Sequence, residues 1–266
     1  MAAQYRDLPF REAIAFFRNK TNLPSGRWTD VWKSAHDSAF MVAGAAKADL
    51  LNDLRGAVDE AISQGTTLST FRKRFDETVA KTGWDYRGGR GWRTRVIYET
   101  NLRTAYAAGR YAQLTDPDLL RVRPYWQYLH GGSKDPRPEH LAWDGMVLPA
   151  DDPWWDEHYP PNGWGCSCKV IAVGDADLER MGKVKPDTAP PVQRVPWQDP
   201  TGARAESVPD GVDPGWNYAP GRSVAARTRE TVERKRSVLP GVLAEAMMDE
   251  ITAWLMKKPD PFDSTE

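Results

Sequence analysis

The chain has 266 residues and a mass of 29.9 kDa, enough for one large domain or two small ones with a buried core. Hydrophobic residues make up 40% and charged residues 27%, a composition that excludes a disordered protein. The net charge of −1 excludes binding to nucleic acid through an overall basic excess, although a local basic patch stays open.

The residues at the amino terminus do not form a secretory signal. They alternate charged and apolar side chains, whereas a signal peptide has an uninterrupted apolar core. No stretch reaches the roughly 20 apolar residues that a membrane span needs. The two cysteines are one residue apart, which strains a disulfide. We therefore expect folding in a reducing cytosol, without contact to a membrane.

The first region, residues 1–84, is predicted to be helical, because only Pro9 and Pro24 precede position 117. A short helix is expected from Pro9 to Asn19. A long helix is expected from about Thr29 to Gln64, since apolar side chains recur there at helical intervals. They are Val31, Ala35, Ala39, Ala43, Ala46, Leu50, Leu54, Val58 and Ile62.

Two further helices follow in the sequence pattern. Thr67 or Ser69 caps the first of them, and Gly83 ends it. The second runs from Trp92 to Leu114, and the small residues in its second half predict the close approach of another element. On this helix Glu99 and Arg103 have the spacing of a solvated ion pair, and a polar contact to a later loop is the alternative.

The next region, residues 85–175, is predicted to contain a small sheet and a long ordered loop. Its strands are expected at Tyr125–His130, Met146–Leu148 and Lys169–Val173. Prolines then recur through residues 176–222, which favours an extended arm that wraps on a partner. Residues 223–266 return to a helical pattern. The fold class is therefore α+β, mainly helical, with a small β-sheet that carries a long ordered loop, plus an extended proline-rich arm.

The loop between Asp135 and Cys168 contains residues that can bind a metal. His140, Cys166 and Cys168 supply an imidazole and two thiols, which suit Zn²⁺ if a fourth ligand such as Asp144, His158 or Asp135 completes a tetrahedron. Residues two apart on a strand point to opposite faces, so a bend at Gly163 or Gly165 is needed. Thiols that pack in a polar loop and a redox-active disulfide are the alternatives.

A second interpretation of this loop is structural. Arg137 is expected to pair with Asp144 or Glu99, while His140 donates to a backbone carbonyl. We call the residues of this predicted network the loop clasp: Asp135, Arg137, Glu139, His140 and Asp144. The neighbouring tryptophans are expected to form a small core around the loop, with Trp154 and Trp155 as candidate interface anchors if they are exposed.

The sequence does not favour an enzyme. A zinc deaminase needs His-x-Glu and a later Cys-x-x-Cys, whereas here the glutamate precedes the histidine and the cysteines are too close. The His-Glu-x-x-His motif of zinc proteases is absent, as are a phosphate-binding loop, a nucleophile elbow and a dinucleotide fingerprint. We expect no catalytic residues.

Three segments together resemble the phage Mu F-like minor head proteins, which are also described as phage head morphogenesis proteins. The segments are RVIYETNLRTAYAAGRYAQL, YWQYLHGGSKDPRPEHLAWDGMVLPADDPWWDEHYPPNGWGCSCKV and GVDPGWNYAPGR. The central one is similar to the family's order of an arginine-proline-histidine motif, Asp-Gly and Cys-x-Cys. Family members commonly have Cys-Arg-Cys where this chain has Cys166-Ser167-Cys168.

The resemblance implies a virion protein of low copy number, assembled into the phage head in the host cytoplasm. Such a protein is expected near the portal, where it contacts the portal protein or the major capsid protein and assists head assembly or DNA packaging and delivery. The alternative is a virion protein that binds double-stranded DNA through a basic carboxyl-terminal helix. The residues that would contact DNA are Arg227, Arg229, Arg234, Lys235 and Arg236.

Overall fold

The computed structural model describes residues 9–224 and, beyond them, residues 241–243, 245–246 and 249. The chain divides into two compact units, Met1–Ser223 and Val224–Glu266. Helices predominate in the described part of the first unit, and its strands form small sheets. The predicted α+β, mainly helical class is therefore confirmed.

The elements of the first unit follow one another in short connections. Its α-helices are α1 (Arg11–Arg18), α2 (Ala48–Gln64), α3 (Leu68–Thr82), α4 (Arg90–Leu114), α5 (Pro117–Val122), α6 (Pro138–Ala142), α7 (Trp155–His158) and α8 (Asp175–Arg180). Its strands are β1 (Thr21–Asn22), β2 (Ala39–Phe40), β3 (Tyr125–Leu129), β4 (Val147–Pro149), β5 (Lys169–Val173), β6 (Arg194–Gln198) and β7 (Ala205–Pro209). A 3-10 helix covers Lys33–Asp37.

Helix α3 begins and ends at the residues that the sequence predicts. The Thr67 side chain accepts a hydrogen bond from the Thr70 backbone N–H, which satisfies a donor that the first turn leaves unpaired. Gly83 ends the helix with a φ of 64°, a left-handed conformation that glycine adopts without strain. Phe71 and Phe75 are buried. These two rings turn one face of α3 toward the helical core.

The prediction of one long helix from Thr29 is wrong in its first half, because α2 begins only at Ala48. Gly44 has a φ of +83°, which interrupts any helix at that point. Upstream of it, β2 pairs in parallel with β1. Val31, Phe40 and Val42 are nevertheless buried, so these apolar residues face the core without helical geometry.

Helix α1 lies unusually close to α4, as the small residues of α4 predict. A Cβ atom at Gly109 would lie 2.6 Å from the Ala13 backbone nitrogen, closer than real atoms approach. Ala13, Ala105 and Ala108 are also buried. The glycine thus sets the distance between the two helices.

The three predicted strands form one antiparallel sheet with the order β4-β3-β5. Because side chains alternate across a strand, Trp126 and Tyr128 of β3 face a large aromatic cluster. The opposite face packs on Leu178 of α8 through Val147 and Val173. The sheet is therefore covered on both faces.

Residues 176–222, predicted as an extended proline-rich arm, contain regular structure and pack in part on the rest of the first unit. The segment contains the end of α8 and an antiparallel hairpin of β6 and β7. Downstream of the hairpin, Val212 and Trp216 are buried in the same aromatic cluster as the sheet. Nonlocal contacts thus order a segment whose prolines suggest no regular structure.

In the second unit, the residues that the structure describes at 241–243, 245–246 and 249 are helical and exposed. The basic residues predicted to contact DNA lie outside the described residues: Arg227, Arg229, Arg234, Lys235 and Arg236. None of the described helices is both long and apolar enough to cross a membrane.

Candidate functional site

The structure brings His140, Cys166 and Cys168 together, and we call these residues the imidazole-thiol cluster. The Nδ1 atom of His140 lies 3.8 Å from the Cys166 sulfur and 3.6 Å from the Cys168 sulfur. One ligand atom from each residue lies within 4.8 Å of the other two. His140 and Cys166 are buried, and Cys168 is partly exposed. The two thiols form no disulfide.

A glycine-rich turn places both sulfurs on one side of the chain. Gly165 has a φ of +75°, and the Cys166 backbone N–H donates to the Gly163 carbonyl at 3.1 Å. Both cysteines precede β5, so the alternation of side chains along a strand does not apply to them. The predicted bend is present, with the left-handed residue at Gly165.

Gly131 lets a second loop approach the cysteines. A Cβ atom at this position would lie 2.2 Å from the Ser167 Oγ atom and 2.3 Å from the Ser167 carbonyl oxygen. Only a residue without a side chain permits this contact. The approach brings the backbone N–H of Gly131 to the Cys168 sulfur.

The outer nitrogen of the His140 ring is bonded to a distant part of the chain. Its Nε2 atom lies 2.8 Å from the Gly211 carbonyl oxygen. A carbonyl can only accept, so Nε2 donates and carries the proton. In the tautomer with a single proton on Nε2, the lone pair of Nδ1 points toward the two sulfurs. Trp143 stacks on the ring at 5.2 Å with an interplanar angle of 25°, which fixes its orientation.

The two thiols share a hydrogen bond in which Cys166 is the donor. The contact with Cys168 and burial raise the pKa of Cys166, so its sulfur keeps the proton. The hydrogen bond from Cys166 lowers the pKa of Cys168 despite partial burial. Two acidic groups in contact lose their protons in separate steps, which explains the opposite directions.

The loop clasp is held by Asp213, a residue that the sequence analysis does not include. Arg137 pairs with Asp213 at 2.7 Å, rather than with Asp144 or Glu99. The same Asp213 oxygen accepts from the Trp164 backbone N–H at 2.8 Å. One carboxylate therefore joins the start of α6, the helix that contains His140, with the turn that carries the cysteines.

The other members of the loop clasp have separate positions. The Asp144 carboxylate accepts from the His130 backbone N–H at 2.8 Å. The stem of Glu139 lies against Gly211, where a Cβ atom would come within 2.6 Å of it. Asp135 is exposed, and its carbonyl accepts from the Ser133 hydroxyl. Of the loop clasp, Arg137, Glu139 and His140 contact the segment at 211–213.

None of the three predicted fourth ligands belongs to the imidazole-thiol cluster of the described residues. Asp135 and Asp144 make the contacts given above. His158 is stacked on Trp154 at 4.2 Å, and its Nδ1 atom lies 2.9 Å from the Trp154 carbonyl oxygen. Burial lowers the pKa of His158, so its ring stays neutral in this aromatic setting.

Trp154 and Trp155 are core residues, with 5% and 2% of their surfaces exposed. Trp155 contacts the ring of Trp126, and its indole N–H donates to the Pro149 carbonyl at 3.0 Å. Neither side chain is available to anchor a partner, so the interface interpretation of this pair is wrong. Both side chains belong to the aromatic cluster, as the predicted tryptophan core around the loop requires.

A cavity of about 500 Å³ opens on another side of the first unit. Apolar residues of α4 line it together with five tryptophans. The tryptophans are Trp28, Trp32, Trp92, Trp164 and Trp216. Trp92 and Trp164 are 59% and 42% exposed at its edge. The sequence analysis does not predict this cavity, because its walls come from segments that are distant in the sequence.

The contribution of residues 211–213 also goes unpredicted. The only signal for it is the sequence GVDPGWNYAPGR, which the resemblance uses without assigning contacts. In the structure, this segment supplies the Gly211 carbonyl and the Asp213 carboxylate. Every residue has a backbone carbonyl, so a pattern of side chains cannot predict which carbonyl contacts His140.

Comparison with known proteins identifies the region that contains the cluster. Residues 52–171 match the family described as Phage Mu protein F like protein. The chain is 38% identical over 189 residues to "Putative capsid assembly protein F" of Escherichia phage Mu, covering 66% of this chain and 43% of that protein. It is 38% identical over 165 residues to "Mu-like prophage FluMu F protein" of Haemophilus influenzae (strain ATCC 51907 / DSM 11121 / KW20 / Rd), covering 58% and 39%. No solved structure matches the chain.

These matches show that the central region of the chain is similar to phage Mu F-like proteins. Residues 52–171 match that family, and the resemblance predicted from the sequence is confirmed. The chain spans about two fifths of the length of the curated relatives it matches.

Proposed function

We propose that this chain is a minor head protein that acts in phage head assembly. It would bind the portal protein or the major capsid protein in the procapsid, in the host cytoplasm, and assist DNA packaging or delivery. The observation that carries this proposal is the 38% identity over 189 residues to a protein named as a capsid assembly protein. Since the relatives are longer, their role is assigned to this chain as our inference.

The position of the reactive side chains supports a role in binding rather than in catalysis. His140 is 3% exposed and Cys166 is 5% exposed. Tyr128, whose ring lies against His140, is fully buried. A substrate reaches a catalytic group only through an open cleft, and these groups lie inside the core. We therefore propose a non-enzymatic protein.

The tryptophans at the edge of the cavity are the best-placed side chains for contact with a head protein. Trp92 is 59% exposed, although tryptophan is usually buried in a folded protein. Tryptophan is also enriched among residues that contribute most to protein interfaces. Trp92 would therefore be covered when the chain joins the procapsid.

The test compares heads assembled in cells with and without this chain. Wild-type chain is expected to sediment with procapsids, and heads assembled without it should contain less DNA. Trp92→Ala should reduce the amount of head-bound chain by about tenfold or more, because an interface tryptophan contributes about 2 kcal/mol or more. Val184→Ala is the matched control, since Val184 is fully exposed and does not line the cavity.

Two purified targets separate the candidate partners. Portal rings without shell and shells without portal would each be mixed with the chain and sedimented. Retention on one of them identifies the contact. The proposal is wrong if the chain binds neither target and if heads assembled without it package and eject DNA as well as complete heads do.

A further inference from the structure

We propose that His140, Cys166 and Cys168 are three protein ligands of a bound Zn²⁺ ion, whose remaining position is taken by water or by a ligand from outside this set. The inference rests on the geometry of the cluster and does not depend on the role in head assembly. The proposal gives the Cys-x-Cys sequence a metal-binding role, whereas the resemblance uses this sequence only as a family motif.

The two distances from the histidine nitrogen to the sulfurs agree with a tetrahedral site. Bond lengths of about 2.3 Å to sulfur and about 2.05 Å to nitrogen, at a tetrahedral angle, place nitrogen and sulfur about 3.6 Å apart. The Nδ1 atom of His140 lies 3.6 Å from the Cys168 sulfur and 3.8 Å from the Cys166 sulfur. An ion therefore fits between them with little movement of the side chains.

The histidine is held in the tautomer that a metal requires. Gly211 accepts from Nε2, which leaves the lone pair of Nδ1 directed at the sulfurs. Metal-binding histidines commonly donate their other N–H to a carbonyl or carboxylate in this way. Gly211 can come this close because it has no side chain and a φ of +80°.

The ligand set indicates which ion is bound. Two thiolates and one imidazole are soft and borderline ligands, which suit zinc and exclude magnesium and calcium. In the described part of the chain, no fourth histidine, cysteine or carboxylate joins the cluster. The ion would connect α6 with the loop before β5. It would therefore fix both ends of the segment that runs between these two elements.

The metal content of the full-length, reduced protein tests the inference. Wild-type protein purified without chelators should contain about one zinc per chain by mass spectrometry. Cys166→Ser, Cys168→Ser and His140→Ala should each lose stoichiometric zinc. His130→Gln is the control, because it removes an imidazole from the same region but not from the cluster, and it should keep the metal.

Cobalt binding to the wild-type protein avoids the risk that these variants fail to fold. After removal of zinc with a chelator, Co²⁺ should bind at one equivalent and give the absorption of tetrahedral cobalt with a sulfur-to-cobalt charge-transfer band. Added zinc should abolish both signals. Folded, fully reduced wild-type protein that binds neither zinc nor cobalt at one equivalent would overturn the inference.

Discussion

Asp213 joins two parts of the loop clasp through a single oxygen atom. That oxygen accepts from Arg137 at 2.7 Å and from the Trp164 backbone N–H at 2.8 Å. A Cβ atom at Gly163 would lie 2.3 Å from it, so the backbone comes close only because Gly163 has no side chain. The carboxylate therefore stabilises one backbone conformation of the loop that contains Gly163 and Trp164.

Asp213→Ala is expected to lower the free energy of unfolding by about 1–3 kcal/mol, because it leaves a partly buried guanidinium and an amide without their acceptor. Asp118→Ala provides the control. It removes the partner of Arg121 in a pair whose side chains are 73% and 85% exposed, so its effect should stay within about 0.5 kcal/mol. Urea denaturation of both variants measures the difference, and equal effects would contradict the role of Asp213.

His36 should make stability depend on pH. Burial, with the nearby Lys20 charge, lowers the pKa of His36 to about 4, below the value near 6.5 of an unfolded chain. The unfolded state therefore takes up the proton first, and stability is lost as the pH falls from about 6.5 to about 4. We expect a loss of about 1–3 kcal/mol from this group.

The variant His36→Gln isolates this contribution from that of the carboxylates. Urea denaturation at several pH values between 7 and 4 should show a smaller decrease in stability for the variant than for the wild type. Parallel curves for the two proteins would show that His36 does not titrate in this way.

Helices α2 and α3 differ in how far the local sequence determines where each of them begins and ends. Helix α3 has a capping threonine and a terminal glycine, and both ends are predicted correctly. The start of α2 is not predicted, because apolar residues before Ala48 keep near-helical spacing while Gly44 and the β1-β2 pair impose another path. The periodic residues Leu50, Leu54, Val58 and Ile62 within α2 are buried, whereas Ala35 and Ala46 upstream of it are exposed. Periodicity therefore identifies the buried face only where the helix is actually formed.

At the contact of α1 with α4, Gly109→Ala is expected to destabilise the protein by about 1–3 kcal/mol. The added methyl group would meet the Ala13 backbone at 2.6 Å, and helix α1 would have to move. Gly56→Ala in α2 is the control, since its added methyl group has no atom within 4 Å. It should stabilise the protein by up to about 1 kcal/mol through helix propensity. Thermal unfolding measures both, and a neutral Gly109 variant would contradict the close contact.

At the scale of the whole molecule, the folded unit extends beyond the region that the family defines. Residues 52–171 contain β3, β4, the first three residues of β5 and the imidazole-thiol cluster, but their core is completed from outside. Val212 and Trp216 enter the aromatic cluster from the carboxyl-terminal side, and Ala13 meets Gly109 from the amino-terminal side. Sequence patterns identify the strands and the cluster residues. They do not predict this closure, because it depends on contacts between distant residues such as Asp213 and Arg137.

We expect a fragment of residues 52–171 to lack a cooperative unfolding transition, whereas a fragment of residues 9–223 should unfold in one step. The shorter fragment exposes the aromatic cluster that Val212 and Trp216 cover. Circular dichroism during heating distinguishes the two. A sharp transition in the shorter fragment would show that the family region folds without its flanks.

The bond between His140 and Gly211 has a consequence for the order in which the protein is completed during synthesis. The two residues are 71 positions apart, so the ribosome adds the accepting carbonyl long after both cysteines have been made. Until that carbonyl emerges, either ring nitrogen of His140 can carry the proton, and the loop clasp lacks its Asp213 anchor. The nascent chain therefore acquires its final imidazole tautomer only when translation has passed the hairpin of β6 and β7.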